Sequence, residues 1–272
     1  MIRQPAVAGQ FYNFDPQQLM KQVEECTDKK AQKTEVLGAV CPHAGYIYSG
    51  RVAGAVFSRM KSADTYVIIG PNHTGLGMPF SIMTEGVWNM PFGEAMIDSI
   101  LAGEILKNSR FLEPDPMAHA REHSVEVQVP FVQYFAKDAQ IVPIVVAGSC
   151  YMDELLEACR DIGEAIAKAV GSVNEKIVII ASSDLTHYEP QDEAKRKDMQ
   201  AINAIVGLDE EKLFARVREL DITMCGYAPV AVMLSACKKL GAKKACLVKY
   251  ETSGDVTKDY GQVVGYGGIL VL

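Results

Sequence analysis

The sequence predicts an α/β fold in which a mixed or mainly parallel central sheet is flanked by helices. Short apolar runs of strand length recur along the chain, at residues 36–41, 66–69, 141–146, 177–181, 246–250 and 269–272. Continuous runs rich in β-branched residues are typical of strands that are covered on both faces. Because helical patterns separate these runs, we expect the strands and helices to form packed layers.

The clearest helical pattern covers residues 152–170, where apolar residues recur at spacings of three and four. An earlier helix should run to residue 26, with Asp15 as its N-terminal cap and Pro16 in its first turn. Further helices are predicted at residues 51–60, 95–106, 125–135, 193–206, 210–218 and 229–240.

The composition indicates an ordinary globular chain. No low-complexity linker or break in composition divides the 272 residues, so residues 1–272 are predicted to form a single α/β domain. The chain is 49% hydrophobic and 22% charged, which is typical of such domains. Its net charge of -7 at pH 7 argues against nucleic acid or an anionic membrane as a partner.

The sequence favours a cytoplasmic location. No apolar run reaches the length that spans a membrane, and the first residues lack the pattern of a signal peptide. The seven cysteines are scattered and form no Cys-x-x-Cys pair, which fits reduced thiols better than a disulfide framework or a zinc ribbon. We therefore expect no membrane partner.

Two histidines follow predicted strands in matching contexts. His43 and His73 each come shortly after an apolar run, in a turn that contains a proline. Adjacent strands that end in this way would hold two imidazoles a few ångströms apart on rigid supports, as metal ligation requires. A single histidine in such a turn is more often only a hydrogen-bonded residue. The matching pair favours metal ligands.

Cys225 lies just ahead of a predicted helix. The positive end of the helix dipole makes a thiol at this position easier to ionise. The residue could be a metal ligand, a nucleophile or only a packed small side chain. Cys41 competes for the ligand role, but strand alternation turns Cys41 and Pro42 to opposite faces, which favours Cys225.

Asp184 and His187 follow the predicted strand 177–181. Their i, i+3 spacing places them on one side of a helical turn, so Asp184 could orient His187 as a general base or as the support of a metal site. In the competing interpretation, Asp184 caps the next turn and His187 is an exposed loop residue.

Glu122, His123 and Glu126 bring carboxylates and an imidazole to the start of a predicted helix. They do not form the His-Glu-x-x-His pattern of zinc proteases, and we expect the charged face to be solvated. His119, on a proline-rich approach, has the weakest indication of function among the five histidines. The glycine-rich nucleotide motifs and the Gly-x-Ser-x-Gly elbow are absent from the sequence, so no nucleotide cofactor is indicated.

Taken together, several blocks of the sequence resemble the Memo family. They occur in the family's order from the first residues to the final third of the chain: PAVAGQFY at 5–12, PHAGYIYSG at 42–50, GPNH at 70–73, EHSVE at 122–126, SSDLTH at 182–187 and CG at 225–226. Any one block alone would be a weak signal. The family is similar in fold to the LigB-type class III extradiol dioxygenases, in which a sheet flanked by helices presents a non-haem iron.

The resemblance implies roles for particular residues. It makes His43, His73 and Cys225 the metal ligands, places Asp184 and His187 in the same pocket, and puts His123 near it. A LigB-type site holds its iron with two histidines and a glutamate, whereas the third ligand implied here is a cysteine, which favours softer metals. The resemblance also implies iron or copper redox chemistry, and pathway partners in the form of an Ammecr-type protein and a radical SAM enzyme.

The first functional hypothesis is therefore a metal-dependent oxidoreductase. Iron(II) or copper would bind at His43, His73 and Cys225, with His187 as acid/base oriented by Asp184 and with His123 next in line as the catalytic group. A second hypothesis is a binding or scaffold protein that uses an inherited dioxygenase-like pocket without turnover, for a small molecule or a peptide. The third is zinc-assisted hydrolysis by a metal-bound water.

Overall fold

The computed structural model describes residues 1–148 and 152–272. Strands and helices alternate along most of this chain, as the sequence predicts. The strands are β1 Ile2–Arg3, β2 Gly38–Cys41, β3 Thr65–Pro71, β4 Phe80–Ile82, β5 Val87–Met90, β6 Gly93–Met96, β7 Glu113–Pro114, β8 Gln140–Val146, β9 Ile177–Ser182, β10 His187–Glu189, β11 Ala245–Thr252 and β12 Val263–Val271.

The helices cover both faces of the sheet. They are α1 Pro16–Cys26, α2 Tyr46–Arg59, α3 Ser99–Asn108, α4 Val129–Phe135, α5 Met152–Ser172, α6 Gln191–Val206, α7 Glu210–Glu219, α8 Tyr227–Lys239 and α9 Gly254–Thr257, with a 3-10 helix at Glu126–Gln128. Asp15 caps α1 as predicted, because its side chain accepts a hydrogen bond from Gln18 N–H. No helix among the described residues is long and apolar enough to cross a membrane.

Within the described residues, nine strands form the main sheet. Its order is β10-β12-β2-β9-β3-β8-β4-β7, and β11 also pairs with β12. The four central strands β2, β9, β3 and β8 are parallel, whereas β12 and β4 run antiparallel to them. The predicted α/β fold with a mixed sheet between helices is confirmed. The carboxyl ends of β2, β3 and β9 consequently meet at one edge.

Successive side chains of the central strands point to opposite faces of the sheet and pack into two apolar cores. In β3, Val67 and Ile69 belong to the core beneath α3, α5, α7 and α8, whereas Tyr66 and Ile68 belong to the core beneath α1, α2 and α4. All four side chains are almost completely buried. Burial on both faces explains why the sequence shows continuous apolar runs at these strands and not an alternation with polar residues.

A second, smaller sheet has the order β1-β5-β6 and carries the chain's one tryptophan, Trp88, which is fully buried. Its strands are short and partly exposed, so the sequence lacks the apolar runs that would predict them. The prediction of a helix from residue 95 is wrong here. Residues 93–96 pair with β5, and α3 begins only after Asp98, whose carboxylate accepts a hydrogen bond from Leu101 N–H.

Two other helix boundaries differ from the prediction. Helix α2 begins at Tyr46 and not at residue 51, so its first turn follows directly on the segment that carries His43. The predicted helix 125–135 is a 3-10 turn followed by α4. In both cases the observed helix begins close to the sheet edge where β2, β3 and β9 end.

Candidate metal centre

The candidate site lies at the carboxyl edge of the parallel strands. His43, His73 and Asp184 each come two residues after the last residue of β2, β3 and β9, respectively. His123 lies just before the 3-10 helix, and Cys225 lies just before α8. Five residues separated by up to 182 positions along the chain therefore meet at one edge of the sheet.

Three imidazoles form the centre of the site. The ring centroids are 5.2 Å apart for His43 and His73, 5.5 Å for His43 and His123, and 4.6 Å for His73 and His123. Each ring offers one nitrogen, and these nitrogens all lie within 4.8 Å of one another. His43 is buried, His123 is half-buried and His73 is exposed. This cluster could hold a metal ion that is reached from the His73 side.

Cys225 lies beside the histidine cluster. Its Sγ is 3.2 Å from His43 Nε2 and 3.7 Å from the carbonyl oxygen of Asp184. The expectation that its place before α8 makes the Cys225 thiol easier to ionise is wrong, because burial raises the pKa of the thiol and the Asp184 carboxylate raises it further. Because the thiol is the favoured form, its one proton can go either to the Asp184 carbonyl oxygen, which can only accept, or to His43 Nε2. The structure brings the predicted third ligand next to His43, although the mutually close group found among the described residues consists of the three histidines.

Glu122 supports His73. Its Oε1 accepts a hydrogen bond from His73 Nδ1 at 2.9 Å, and its Oε2 accepts one from His73 N–H at 2.6 Å. Burial by itself raises the pKa of Glu122, but the hydrogen bond and the charge of His73, together with Ser124 N–H, lower it to about 2. The side chain is therefore a carboxylate. A carboxylate that accepts from Nδ1 leaves Nε2 of the same ring free to bind a metal.

The expectation that Glu122 and Glu126 lie on a solvated face is wrong. Glu122 is 1% exposed and Glu126 is 0% exposed. Both carboxylates are buried because hydrogen-bond donors surround them: Glu126 accepts from Arg3 Nη1, from the N–H groups of Ala6 and Val7, and from Tyr12 Oη. These donors come from the first residues of the chain, so local spacing cannot show them.

Asp184 holds the backbone at the start of α2. Its Oδ1 accepts a hydrogen bond from His43 N–H at 2.8 Å, and Ala44 N–H also points to the carboxylate. Burial raises the pKa of Asp184 to about 6, against the lowering effect of these hydrogen bonds. The carboxylate thus fixes the segment that carries His43.

His187 has a different partner from the one predicted. Its Nδ1 donates to the carbonyl oxygen of Thr223 at 2.8 Å, and its backbone N–H donates to Thr223 Oγ1 at 2.7 Å. The prediction that Asp184 orients this imidazole is therefore wrong, because the Asp184 carboxylate is committed to backbone N–H groups. A carbonyl oxygen can only accept, so Nε2 of His187 carries the lone pair of the neutral ring.

His123 is packed between the site and the start of the chain. Its ring centroid is 4.9 Å from that of Phe11, and its Nδ1 lies 3.4 Å from Glu122 Oε1. Burial lowers the pKa of His123, which favours the neutral imidazole that a metal requires, although Glu122 opposes this effect. Only the place of Phe11 in the block at 5–12 gives a signal for it in the sequence, whereas Glu122 stands out as a carboxylate next to His123 but is expected there to be solvated.

An α/β sheet whose parallel strands bring imidazoles, a thiol and carboxylates to one edge defines a protein with a potential metal centre. The family comparison makes this class more specific. The model of a family described as Memo-like protein matches residues 3–270, nearly the whole chain. This protein belongs to the Memo-like family.

Relatives of known sequence agree over the full length. The chain is 47% identical over 272 residues to a MEMO1 family protein of Methanococcoides burtonii, spanning 99% of this chain and 100% of that relative. It is 41% identical over 284 residues to a MEMO1 family protein of Methanopyrus kandleri, spanning 99% of each. A crystal structure of an uncharacterised Escherichia coli K12 protein shares the fold, with a TM-score of 0.60 and 12% identity over 88% of this chain and 100% of that one.

Proposed function

We propose that this protein binds one metal ion through His43, His73 and Cys225, with His123 adjoining, and acts as a metal-dependent oxidoreductase. One observation carries the proposal. Imidazole nitrogens from three separate segments lie within 4.8 Å of one another, next to a thiol at 3.2 Å from His43 Nε2. Metal ligation would give these groups a common role, because Glu122 accepts from Nδ1 of His73 and thereby leaves Nε2 of that ring for a metal.

The donor set fits iron(II) or copper, with zinc as the alternative. Imidazole suits all three metals, and a cysteine sulfur in place of a carboxylate favours the softer ones. When bound, iron or copper would supply the electron-transfer chemistry that side chains lack. Glu122 would orient His73, and Asp184 would fix the backbone of His43.

The His187 imidazole is proposed to move protons beside the metal and not to bind it. Its Nδ1 is held by Thr223 O, which leaves Nε2 as a proton acceptor. Burial lowers the pKa of His43 and raises that of Asp184, and the charge of His187 adds to the first effect and opposes the second, so His187 lies near both residues. A small molecule that reached the metal past the exposed His73 would therefore find an acid/base group nearby.

A reducing compartment suits this proposal. Five of the described cysteines are free thiols: Cys26, Cys41, Cys225, Cys237 and Cys246. A thiol ligand must stay unoxidised to bind a metal, and the cytoplasm keeps thiols reduced. We therefore also propose a cytoplasmic location.

Metal analysis tests the ligand set. The protein is purified without an affinity tag or added metal, and its metal content and affinity are measured beside His43→Ala, His73→Ala and Cys225→Ala. Each variant should bind about tenfold more weakly or worse, because loss of a ligand should cost no less than loss of its support. Cys41→Ala is the control, because Cys41 is fully buried in an apolar core and should leave affinity unchanged. Normal binding by both His43→Ala and Cys225→Ala would refute the site.

Two further variants separate the roles of the remaining histidines. His187→Ala should keep the metal and lose about 10² to 10⁴ in the rate of oxygen uptake, as the loss of a general base does. His123→Ala decides whether His123 belongs to the ligand set. If the metal-loaded parent consumes no oxygen with catechols, thiols or ascorbate, the protein is a binding protein and not an oxidoreductase.

A further inference from the structure

Ser182 is the centre of a buried hydrogen-bond network beneath the site. It is the last residue of β9 and is fully buried. Its Oγ lies 2.6 Å from the carbonyl oxygen of Ser124, 2.9 Å from Gln128 Nε2 and 2.9 Å from His43 Nδ1. Three groups thus compete for one hydroxyl, which has one proton to donate and two lone pairs that accept.

The orientation of the Gln128 amide is fixed by its other partners. Its Nε2 lies 2.9 Å from the carbonyl oxygen of Pro42, which can only accept. Rotating the amide by half a turn would place its oxygen against that carbonyl. The two amide hydrogens therefore go to Pro42 O and Ser182 Oγ. This orientation leaves Gln128 Oε1 buried with no hydrogen-bond partner among the described residues, which is unfavourable.

The direction in which the Ser182 hydroxyl donates its proton is fixed as well. Ser124 O is a carbonyl oxygen, so the 2.6 Å contact requires the hydroxyl to donate to it. Both lone pairs of Oγ are then left to accept, one from Gln128 and the other from His43 Nδ1. His43 must therefore carry its proton on Nδ1. Nε2, the other ring nitrogen, lies 3.2 Å from Cys225 Sγ and is therefore the nitrogen that faces the site.

We propose that Ser182, held by Ser124 and Gln128, is a positioning residue that fixes the Nδ1–H tautomer of His43 and thereby presents the Nε2 lone pair to the metal position. The metal part of this inference rests on the proposed function. The tautomer part does not, because it follows from hydrogen bonds that exist without a metal. In the opposite tautomer, an N–H group would point at Cys225 and at the metal position, and the ring could not bind until its proton had moved.

Two different kinds of acceptor fix the Nδ1–H tautomer of the two histidines. Glu122 fixes Nδ1–H of His73 with a carboxylate, whereas Ser182 fixes Nδ1–H of His43 with a neutral hydroxyl. A neutral partner suits His43, which is 2% exposed, because a second buried carboxylate there would add a charge to be desolvated next to Asp184. Both rings therefore offer Nε2 to the same space.

The experiment reads the tautomer directly in the metal-free protein. Nitrogen-15 labelling of the histidines and two-bond proton–nitrogen correlation spectra show which ring nitrogen of His43 is protonated. The parent should show Nδ1 protonated and Nε2 unprotonated. Ser182→Ala should give His43 a measurable population protonated on Nε2, since Nδ1 then has no acceptor. Ser182→Thr, which keeps the hydroxyl, should restore the parent spectrum.

Ser124→Ala is the matched control. It removes a buried serine hydroxyl that donates to Pro71 O at 2.8 Å, but it keeps the Ser124 carbonyl that receives the Ser182 proton. Its His43 spectrum should match that of the parent. A parent protein with His43 protonated on Nε2 overturns the inference without any variant, and so does a Ser182→Ala spectrum identical to that of the parent.

Titration with Co²⁺ measures the consequence for the site. Ser182→Ala should bind Co²⁺ about tenfold to a hundredfold more weakly than the parent, as when the support of a ligand is lost, whereas Ser182→Thr and Ser124→Ala should bind within a few-fold of it. If the parent shows the expected tautomer but binds no metal, the proposed function fails and the tautomer assignment stands. If Ser182→Ala changes the tautomer but binds Co²⁺ as tightly as the parent, the positioning role is wrong.

Discussion

His119 shows what a histidine does in this protein when it has no part in the site. Its ring is fully buried against Trp88, with 6.3 Å between the ring centroids, and its backbone carbonyl accepts a hydrogen bond from Arg3 Nε. Burial lowers the pKa of His119 to about 3, and the nearby Arg3 guanidinium adds to the effect. The ring is neutral in the folded protein over the physiological pH range, and it must gain a proton in the unfolded chain below its ordinary pKa.

This difference predicts an acid sensitivity that can be assigned to one residue. Because the folded pKa lies below the ordinary value of 6.5, the unfolded state binds the extra proton, and the stability present above pH 6.5 is lost as the pH falls toward 3. The loss amounts to about 1.4 kcal/mol per pH unit within that window. Urea unfolding of the parent and of His119→Phe at several pH values measures it. The parent should lose stability faster on acidification, and parallel curves would contradict the assignment.

At the same scale, the sequence predicts the residues that gather at the sheet edge better than it predicts the residues that support them. His43, His73 and Cys225 are predictable because each follows a strand or precedes a helix in a short recognisable context. Their partners are not, because the contacts of Ser182 with His43 and of Glu122 with His73 join residues 139 and 49 positions apart. Local spacing suggests His187 as the partner of Asp184, whereas the Asp184 carboxylate accepts from His43 N–H, 141 positions away.

Among the structural elements, the 3-10 helix connects the first residues of the chain to the site. Arg3 donates to Glu126 on this helix, and its guanidinium also donates to the carbonyl of Glu122 and lies 4.0 Å above the Trp88 ring. The Arg3 and Glu126 side chains are 4% and 0% exposed. A buried ion pair of this kind fixes the path of the N-terminal segment, which brings Phe11 against His123.

Breaking this pair should be costly. Glu126→Gln leaves the Arg3 guanidinium buried without a counter-charge and should lower the free energy of unfolding by about 3–5 kcal/mol. Glu193→Gln is the control, because its pair with Arg196 is exposed and its loss should leave stability nearly unchanged. Denaturant unfolding of the two variants beside the parent measures the difference. Equal effects would show that the buried pair does not hold the segment.

Strands and helices are predicted correctly where their burial gives the sequence a recognisable apolar pattern. The central strands β2, β3, β8 and β9 appear as apolar runs, and the long helix α5 appears as an amphipathic pattern. The partly exposed strands of the small sheet and the strands β4, β7 and β10, of two or three residues each, are not predicted, because neither kind of strand carries such a run. Neither strand order nor the antiparallel place of β12 follows from local pattern, since both depend on which distant strands pair.

For the molecule as a whole, the main question is whether its two sheets unfold together. The main sheet separates two apolar cores, and the small sheet contributes Trp88 to the core that also contains Phe57 and Phe131. Side chains from both sheets therefore share one core. We expect residues 1–272 to behave as a single domain, as the uniform composition predicts.

The chain's one tryptophan makes this expectation measurable. Fluorescence of Trp88 reports the small sheet, and far-ultraviolet circular dichroism reports the whole molecule, so the two unfolding curves should coincide. Ile68→Ala and Ile69→Ala, on opposite faces of β3, should each lower stability by about 2–5 kcal/mol in both signals. Ile100→Ala is the matched control, because Ile100 is 75% exposed. Separate transitions would divide the chain into two domains.

The pairing of β12 with β2 also sets an order of events during protein synthesis. The strand that leads to His43 lies between β9 and β12, and β12 consists of residues 263–271, at the end of the chain. During synthesis, one edge of β2 therefore stays unpaired until residues 263–271 have been made, and Cys225 can reach His43 only after 182 further residues have been added. The candidate site is therefore completed by pairings between distant segments that form late in synthesis, and not by local folding around His43.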